Sequence, residues 1–326
     1  MNFPVIPSFK IFGQKDFISF SEDLFQYQVE QNRVYYHFAY KTHNINPDFS
    51  EPNLFPFLPI SFFKTHEVYC GVDTPSFYFE SSGTGNQSVS KHFFRDLAIY
   101  KASFTHQFHL QYGSPTEWCI MGLLPSYLER SHSSLVYMVK ELMNLSTNPS
   151  NGFYLHNHEE LYQHLRTLQS GGQKTILFGT TFALLDFSEK YNLPLSNTII
   201  IETGGMKGRR EELLREEVHD QLKKAFPQAS IHSEYGMTEL CSQAYAKENG
   251  RFICPPWMKV LVRDEDDPFR ITYTGKGALN IIDLANVYSC AFIATDDVGE
   301  VFEDGSFSVL GRMDNSDIRG CSLLTV

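Results

Sequence analysis

The chain has 326 residues, 42% of them hydrophobic and 20% charged, with a formal net charge of −11. That balance excludes a disordered chain and describes one large or two medium globular units that bury a core without disulfides. The acidic charge excludes broad binding along a nucleic-acid backbone, which needs a dense positive field, but not a small anion held by local donors.

The 28 phenylalanines and 17 tyrosines fit first a Phe-rich core; the sharper alternative is an apolar tunnel for a long or aromatic acyl group. The six cysteines (Cys70, Cys119, Cys241, Cys254, Cys290, Cys321) form no CxxC and no zinc-type spacing. Met1–Pro7 lacks the basic and apolar regions of a signal peptide, and no apolar run approaches the ~20 residues of a membrane helix. The expectation is a reduced cytoplasmic protein with free thiols and no membrane span.

In chain order, Ser21 is expected to cap a short helix to Gln31, with Leu24, Phe25 and Val29 as its apolar stripe. Two prolines make Phe55–Phe63 an extended, buried crossing segment. Phe77–Phe79 reads as a strand and Ser81–Asn86 as a tight loop. A helix is predicted from about Ser90, with Phe93, Leu97, Tyr100, Phe104 and Phe108 at spacings of three and four. Strand, glycine and hydroxyl loop, then helix would make a phosphate pocket of backbone N–H groups.

The middle alternates. Strands are predicted at Thr175–Phe178, Thr198–Ile201 and Ser230–His232, and helices at Phe182–Tyr191 and Glu211–Ala225. That pattern implies a parallel sheet covered by helices, with ligands beyond the carboxyl ends of its strands. The loops there are Gly179-Thr180-Thr181, Glu202-Thr203-Gly204-Gly205 and Glu234–Glu239. After Phe252 the helical period disappears. Lys259–Arg263, Phe269–Tyr273, Ala278–Asp283 and Ala291–Thr295 read as strands, and Glu303–Ser306 as a hairpin turn, giving an appended antiparallel region. The division expected is 1–250, an α/β core with an aromatic-rich N-terminal segment, and 251–326, the β region and a tail carrying Cys321.

No Walker-type loop, dinucleotide fingerprint, GxSxG elbow or HExxH is present. What remains is a set of weak elements in order. Ser81-Ser82-Gly83-Thr84-Gly85 is a phosphate-type loop or a plain turn. Gly204-Gly205 permits close approach of a ligand. Tyr235-Gly236-Met237-Thr238-Glu239 offers a ring, a hydroxyl and a carboxylate. Asp297 follows a predicted strand, and Gly311-Arg312 adds a cation. Each alone has a plain structural explanation.

Together, in this order, they resemble the adenylate-forming superfamily of acyl- and aryl-CoA ligases, luciferases and adenylation domains. Within it the chain is most similar to the acyl-protein synthetases of the bacterial bioluminescence fatty acid reductase complex. The stretches that carry this are Phe57–Lys64, Leu124–Arg130, Glu202–Arg209, His232–Leu240 and Arg312–Cys321.

The resemblance implies an α/β adenylate-forming N-terminal core, parallel sheets covered by helices plus an antiparallel β region. It also implies a ligase that activates a fatty acid with ATP and Mg²⁺ as acyl-AMP. The acyl group would pass to a C-terminal cysteine, Cys321, and then to a partner acyl reductase. By position, Ser81, Ser82, Gly83, Thr84 and Gly85 would hold the β- and γ-phosphates. Gly204 and Gly205 would line adenine, with Tyr235 stacked on it and Gly236 beside it. Thr238 would touch the α-phosphate, Glu239 would bind Mg²⁺, and Asp297 would hold the ribose with Arg312 nearby. His232 stands close enough in sequence to touch the nucleotide, or is structural.

The chain departs from the superfamily in two ways. Its phosphate loop is one residue short and lacks the Pro-Lys that often follows. It also ends just past Gly311-Arg312, so a C-terminal lid and its lysine are not expected; Lys207, Arg209 and Arg210 are the replacement cations considered, or simply a solvated helix start. Two other readings stay open: a ligase acylating coenzyme A or a carrier without a covalent enzyme intermediate, and a non-catalytic subunit of a reductase complex.

Overall fold

The computed structural model describes residues 13–42, 51–81, 89–124, 132–154, 157–204 and 213–313. Among them, one 13-stranded sheet organises the chain.

Its parallel half is built from β4 (Cys119–Leu123), β5 (Gly152–Tyr154), β6 (Thr175–Thr180), β7 (Thr198–Thr203) and β8 (Ser230–Tyr235), in the order β8-β7-β6-β4-β5. β4 and β6 are buried throughout, the pattern of strands covered on both faces. On one face lie α6 (His158–Ser170), α7 (Thr181–Ser188) and α8 (Arg215–Ala225). They pack Leu161, Leu165, Leu184, Val218 and Leu222 around Leu177 and Ile200. On the other lie α4 (Leu97–Tyr112) and α5 (Ser134–Ser146), whose Phe104, Phe108, Val139 and Leu142 meet Ile176, Phe178 and Ile201.

The sheet continues without a break into the antiparallel region. β9 (Ala244–Ala246) pairs β8, and β10 (Phe252–Ile253) pairs β9. β15 (Phe307–Arg312), β14 (Phe292–Val301), β13 (Gly275–Asp283), β11 (Met258–Arg263) and β12 (Ile271–Thr272) follow in order. The hairpin read at Glu303–Ser306 joins β14 to β15, with Gly305 at φ +79°. The expected boundary at 250/251 falls just before β10.

The N-terminal segment covers this region. α1 (Gln14–Gln31) and α2 (Arg33–Thr42) bring Phe25 and Tyr35 onto Phe292, where Phe55 also stacks at 4.6 Å. The Pro-rich crossing is extended through Pro59 and largely buried, as expected, with Leu58–Pro59, strand β1, running parallel to β14. The expectation fails at its end, where Ile60–Ser61 turn and Phe62–Phe63 open a helix, α3 (Phe62–Thr65).

Several expectations are corrected. Ser21 is no cap: it lies inside α1, buried, its hydroxyl donating to Phe17 O at 2.7 Å. No helix begins at Ser90. Lys91–Phe94 is strand β3, antiparallel to β2 (Phe77–Glu80), and the helix starts at Leu97 behind Asp96, whose carboxylate accepts from Ala98 N at 2.8 Å. The helix predicted to complete the phosphate pocket is therefore a strand, and residues 82–88 between β2 and β3 lie outside the described residues. Helix α8 starts at Arg215 rather than Glu211, with the Glu217 carboxylate accepting from Leu214 N. β8 runs on to Tyr235, and Asp297 lies within β14 rather than after a strand.

The cysteines read as core or incidental are so placed. Cys70, Cys119, Cys241 and Cys290 are buried and Cys254 half-buried, all free thiols. Cys321 lies outside the described residues. Among the described residues, no helix is long and apolar enough to cross a membrane.

Candidate active site

The carboxyl ends of β6, β7 and β8 stand in register. Thr180 pairs Thr203, and Thr203 pairs Glu234; one step earlier, Gly179 pairs Glu202 and Glu202 pairs Ser233. Alternation puts Thr180, Thr203 and Glu234 on one face and Glu202 and Ser233 on the other. The Thr203 hydroxyl donates to the Glu234 carboxyl, and the Thr181 hydroxyl lies between the Glu202 carboxyl and Gly204 O. Burial raises both carboxyls, Glu234 to about 7, and the neighbouring Glu202 charge pushes Glu234 the same way.

These strand ends place the predicted residues. Gly204 has φ +75° with no heavy atom near a would-be Cβ, so the chain turns there in a conformation glycine favours. Gly236 is exposed, but its backbone presses on Glu234: a Cβ there would meet Glu234 Oε1 at 2.3 Å. Tyr235 is 8% exposed, its ring set against Phe252 and edge-on to Phe307. Its hydroxyl donates to Asp297 Oδ2 at 2.8 Å, and Arg312 Nε stands 3.1 Å from Asp297 Oδ1. Three predicted residues, widely separated in sequence, thus form one cluster. Burial lifts the Asp297 carboxyl; Arg312 and the Tyr235 hydroxyl oppose it.

Thr238 and Glu239 lie in the turn after β8, Thr238 half-buried and Glu239 5% exposed. Burial raises the Glu239 carboxyl, against the pull of the Ser90 hydroxyl, Arg312 and Lys64. Among the described residues, no group of three His, Cys, Asp or Glu side chains stands ready to hold a metal. A single carboxylate suits an ion such as Mg²⁺, which takes one or two carboxylates and completes its shell with water and phosphate.

Ser81 closes the neck of the β2–β3 hairpin. Its N donates to Ser90 O at 3.0 Å, and its Oγ accepts from Ser90 N at 2.9 Å. Ser82, Gly83, Thr84, Gly85 and Gly205, with Lys207, Arg209 and Arg210, lie outside the described residues. His232 points the other way from Tyr235 along β8, with Nδ1 3.2 Å from the Tyr112 hydroxyl.

Sequence reasoning missed three buried residues beneath the Thr238–Glu239 turn: His92, Asp283 and Asn286. Asp283 Oδ2 accepts from Cys241 N at 2.7 Å and Ser242 N at 3.0 Å, and Oδ1 from the Ser242 hydroxyl at 2.6 Å. The signal available was a charged residue directly after the apolar pair Ile281-Ile282, at the end of a predicted strand, where burial demands partners.

No protein-family model and no curated protein matches the sequence. Solved structures do match. The luciferase-like enzyme of the mealworm Zophobas morio aligns at TM-score 0.53 and 17% identity, over 75% of this chain and 60% of its own. ATP-bound MatB of Rhodopseudomonas palustris aligns at 0.54 and 16%, over 76% and 50%. A long-chain-fatty-acid-CoA ligase of Archaeoglobus fulgidus aligns at 0.51 and 15%, over 72% and 51%. The fold is that of the adenylate-forming core. The chain spans 50–60% of the length of these neighbours. In this fold, β7 and β8 end at Thr203 and Tyr235, and β14 and β15 bring Asp297 and Arg312 to meet Tyr235.

Proposed function

We propose that the chain activates a carboxylic acid with ATP, forming an acyl-adenylate and pyrophosphate. The observation that carries this is the Tyr235–Asp297–Arg312 cluster beside the Thr238–Glu239 turn, on the fold of the adenylate-forming core. It joins an aromatic ring and a carboxylate fixed from both sides, with a hydroxyl and a second carboxylate in the turn that follows β8.

In this reading the substrate carboxylate oxygen attacks the α-phosphorus, and the bond to the bridging oxygen breaks, releasing pyrophosphate. Two anions must meet, so positive charge and fixed dipoles are needed where negative charge crowds. Asp297, held by Tyr235 and Arg312, would accept from the ribose hydroxyls. Thr238 would donate to the α-phosphate, and Glu239 would be the protein's ligand to Mg²⁺, which supplies charge neutralisation when bound. Ser81–Gly85 would hold the outer phosphates, and Gly204 and Gly205 would border the adenine, with Tyr235 presenting its ring.

The finer proposal follows the sequence resemblance: the acid is a fatty acid, and the Cys321 thiolate takes the acyl group with loss of AMP, then hands it to a partner reductase. The test is acid-dependent ATP–pyrophosphate exchange on purified protein, with chains from about two to sixteen carbons. Exchange with one chain class is the expected result; its absence with every acid would sink the adenylation reading.

A further inference from the structure

Beneath the turn that carries Thr238 and Glu239, one histidine joins two parts of the site that lie far apart in sequence. His92 sits in β3, 1% exposed, with its ring edge-on to Phe63 at 5.8 Å and against Phe94 at 4.3 Å. Its Nδ1 is 2.8 Å from Thr238 O. A carbonyl only accepts, so Nδ1 carries the proton and donates. Asn286 Nδ2 donates to Glu239 O at 2.9 Å, which leaves its Oδ1 3.1 Å from His92 Nε2; with the ring proton on Nδ1 that approach is a packing contact between two acceptors and not a hydrogen bond.

Two consecutive carbonyls of the turn, Thr238 O and Glu239 O, are therefore taken from below by His92 and Asn286. The next amides, Cys241 N and Ser242 N, are taken by Asp283. Asp283 and Asn286 belong to the end of β13 and the turn after it. His92 alone of the three comes from the β2–β3 hairpin, whose neck at Ser81 and Ser90 flanks residues 82–88. The hairpin is tied to the Thr238–Glu239 turn through this imidazole.

We propose that His92 is a positioning residue for activation. It fixes the Thr238–Glu239 turn relative to the β2–β3 hairpin, through the Nδ1–H bond to Thr238 O. This rests on the adenylation reading for its catalytic consequence, but not for its structural one. The geometry makes the bond specific. A carbonyl that loses a donor held in a buried ring must find water or move, and a shift of about 1 Å in a catalytic group costs on the order of a hundredfold in rate.

Three substitutions separate the donor from the shape. His92→Asn sets an amide N–H near the place of Nδ1. His92→Gln sets one near Nε2. His92→Phe keeps a flat ring between Phe63 and Phe94 and removes both nitrogens. In pyrophosphate exchange, His92→Phe and His92→Gln are expected to lose kcat by on the order of tenfold or more, with KM for ATP changed less, and His92→Asn to recover most of it. Independently of activity, hydrogen exchange at the amides of 237–242 is expected to quicken in His92→Phe and His92→Gln and to stay slow in His92→Asn.

Wild-type-like kcat and amide protection in His92→Phe would overturn the proposal. So would equal loss in the Asn and Gln variants, since shape alone would then matter. If His92→Phe fails to fold by circular dichroism, the Asn–Gln comparison decides. If the wild type shows no exchange activity, the adenylation reading falls, and the amide protection pattern still decides whether His92 holds the turn.

Discussion

The Tyr235 hydroxyl donates to one oxygen of Asp297 at 2.8 Å while Arg312 Nε stands 3.1 Å from the other. A β8 residue thereby sets the orientation of a carboxylate on β14, and a β15 cation completes the grip. Arg312 is 68% exposed, so its pairing contributes little to stability. The Tyr235 bond is buried and accepts at a carboxylate, the kind worth about 1.5–3 kcal/mol. Tyr235→Phe is therefore expected to lower stability by about 1–2 kcal/mol in urea denaturation and to raise KM for ATP in exchange by roughly tenfold. An unchanged KM in a folded variant would show that Asp297 needs no such orientation.

Glu239 is nearly buried with a carboxyl that burial holds above its ordinary value. A cation beside it would draw the proton off. Glu239→Gln keeps shape and hydrogen-bonding capacity and removes the charge. Pyrophosphate exchange is expected to fall by on the order of a hundredfold, with a much higher Mg²⁺ requirement. Stability at neutral pH should hold or rise slightly, because an ionised buried carboxylate is no longer carried. A Mg²⁺ titration of exchange rate, wild type against variant, checks both.

The Cys321 proposal separates two half-reactions. Cys321→Ser is expected to leave pyrophosphate exchange within about twofold of wild type while abolishing covalent labelling of the protein by radioactive fatty acid. Labelling that survives would move the acceptor to another group. Acylation of coenzyme A in solution without any labelled protein would favour a direct ligase.

The parts of the fold that were legible in sequence are those where one period dominates locally. Thr175–Phe178 and Thr198–Ile201 are apolar runs bounded by turn residues, and both strands are there, each two residues longer. The misreading at Ser90 came from phase. Phe93 falls on the same spacing as Leu97, Tyr100 and Phe104, so four strand residues joined a helical stripe they do not belong to, while the true stop, Asp96, went unread. Ser21 failed for a similar reason, since a hydroxyl bonded one turn back inside a helix looks in sequence like a cap. In the site, ordered motifs marked Tyr235, Asp297 and Arg312. The support beneath it was invisible: His92 reaches Thr238 across 146 positions and Asn286 across 194, and no local pattern encodes such contacts.

The buried titratable groups pull stability in opposite directions with pH. Glu234, with its carboxyl raised to about 7, binds a proton more tightly folded than unfolded. Its stabilising contribution is complete below about 4.5 and is lost as pH rises through 7. His92, His219 and His232 are each lowered by burial to about 4, so their contribution is complete above about 6.5 and is lost as pH falls toward 4. Wild-type stability should therefore peak between these limits. Glu234→Gln removes one arm and keeps an acceptor for the Thr203 hydroxyl. It is expected to match wild type near pH 5 and to exceed it by about 1–3 kcal/mol at pH 8, since a shift of one pKa unit corresponds to about 1.4 kcal/mol. Urea denaturation of both proteins from pH 5 to pH 8 measures the difference directly, with the histidine contributions cancelling. Parallel curves would mean that Glu234 is ionised in the folded protein throughout, with Thr203 enough to hold the charge.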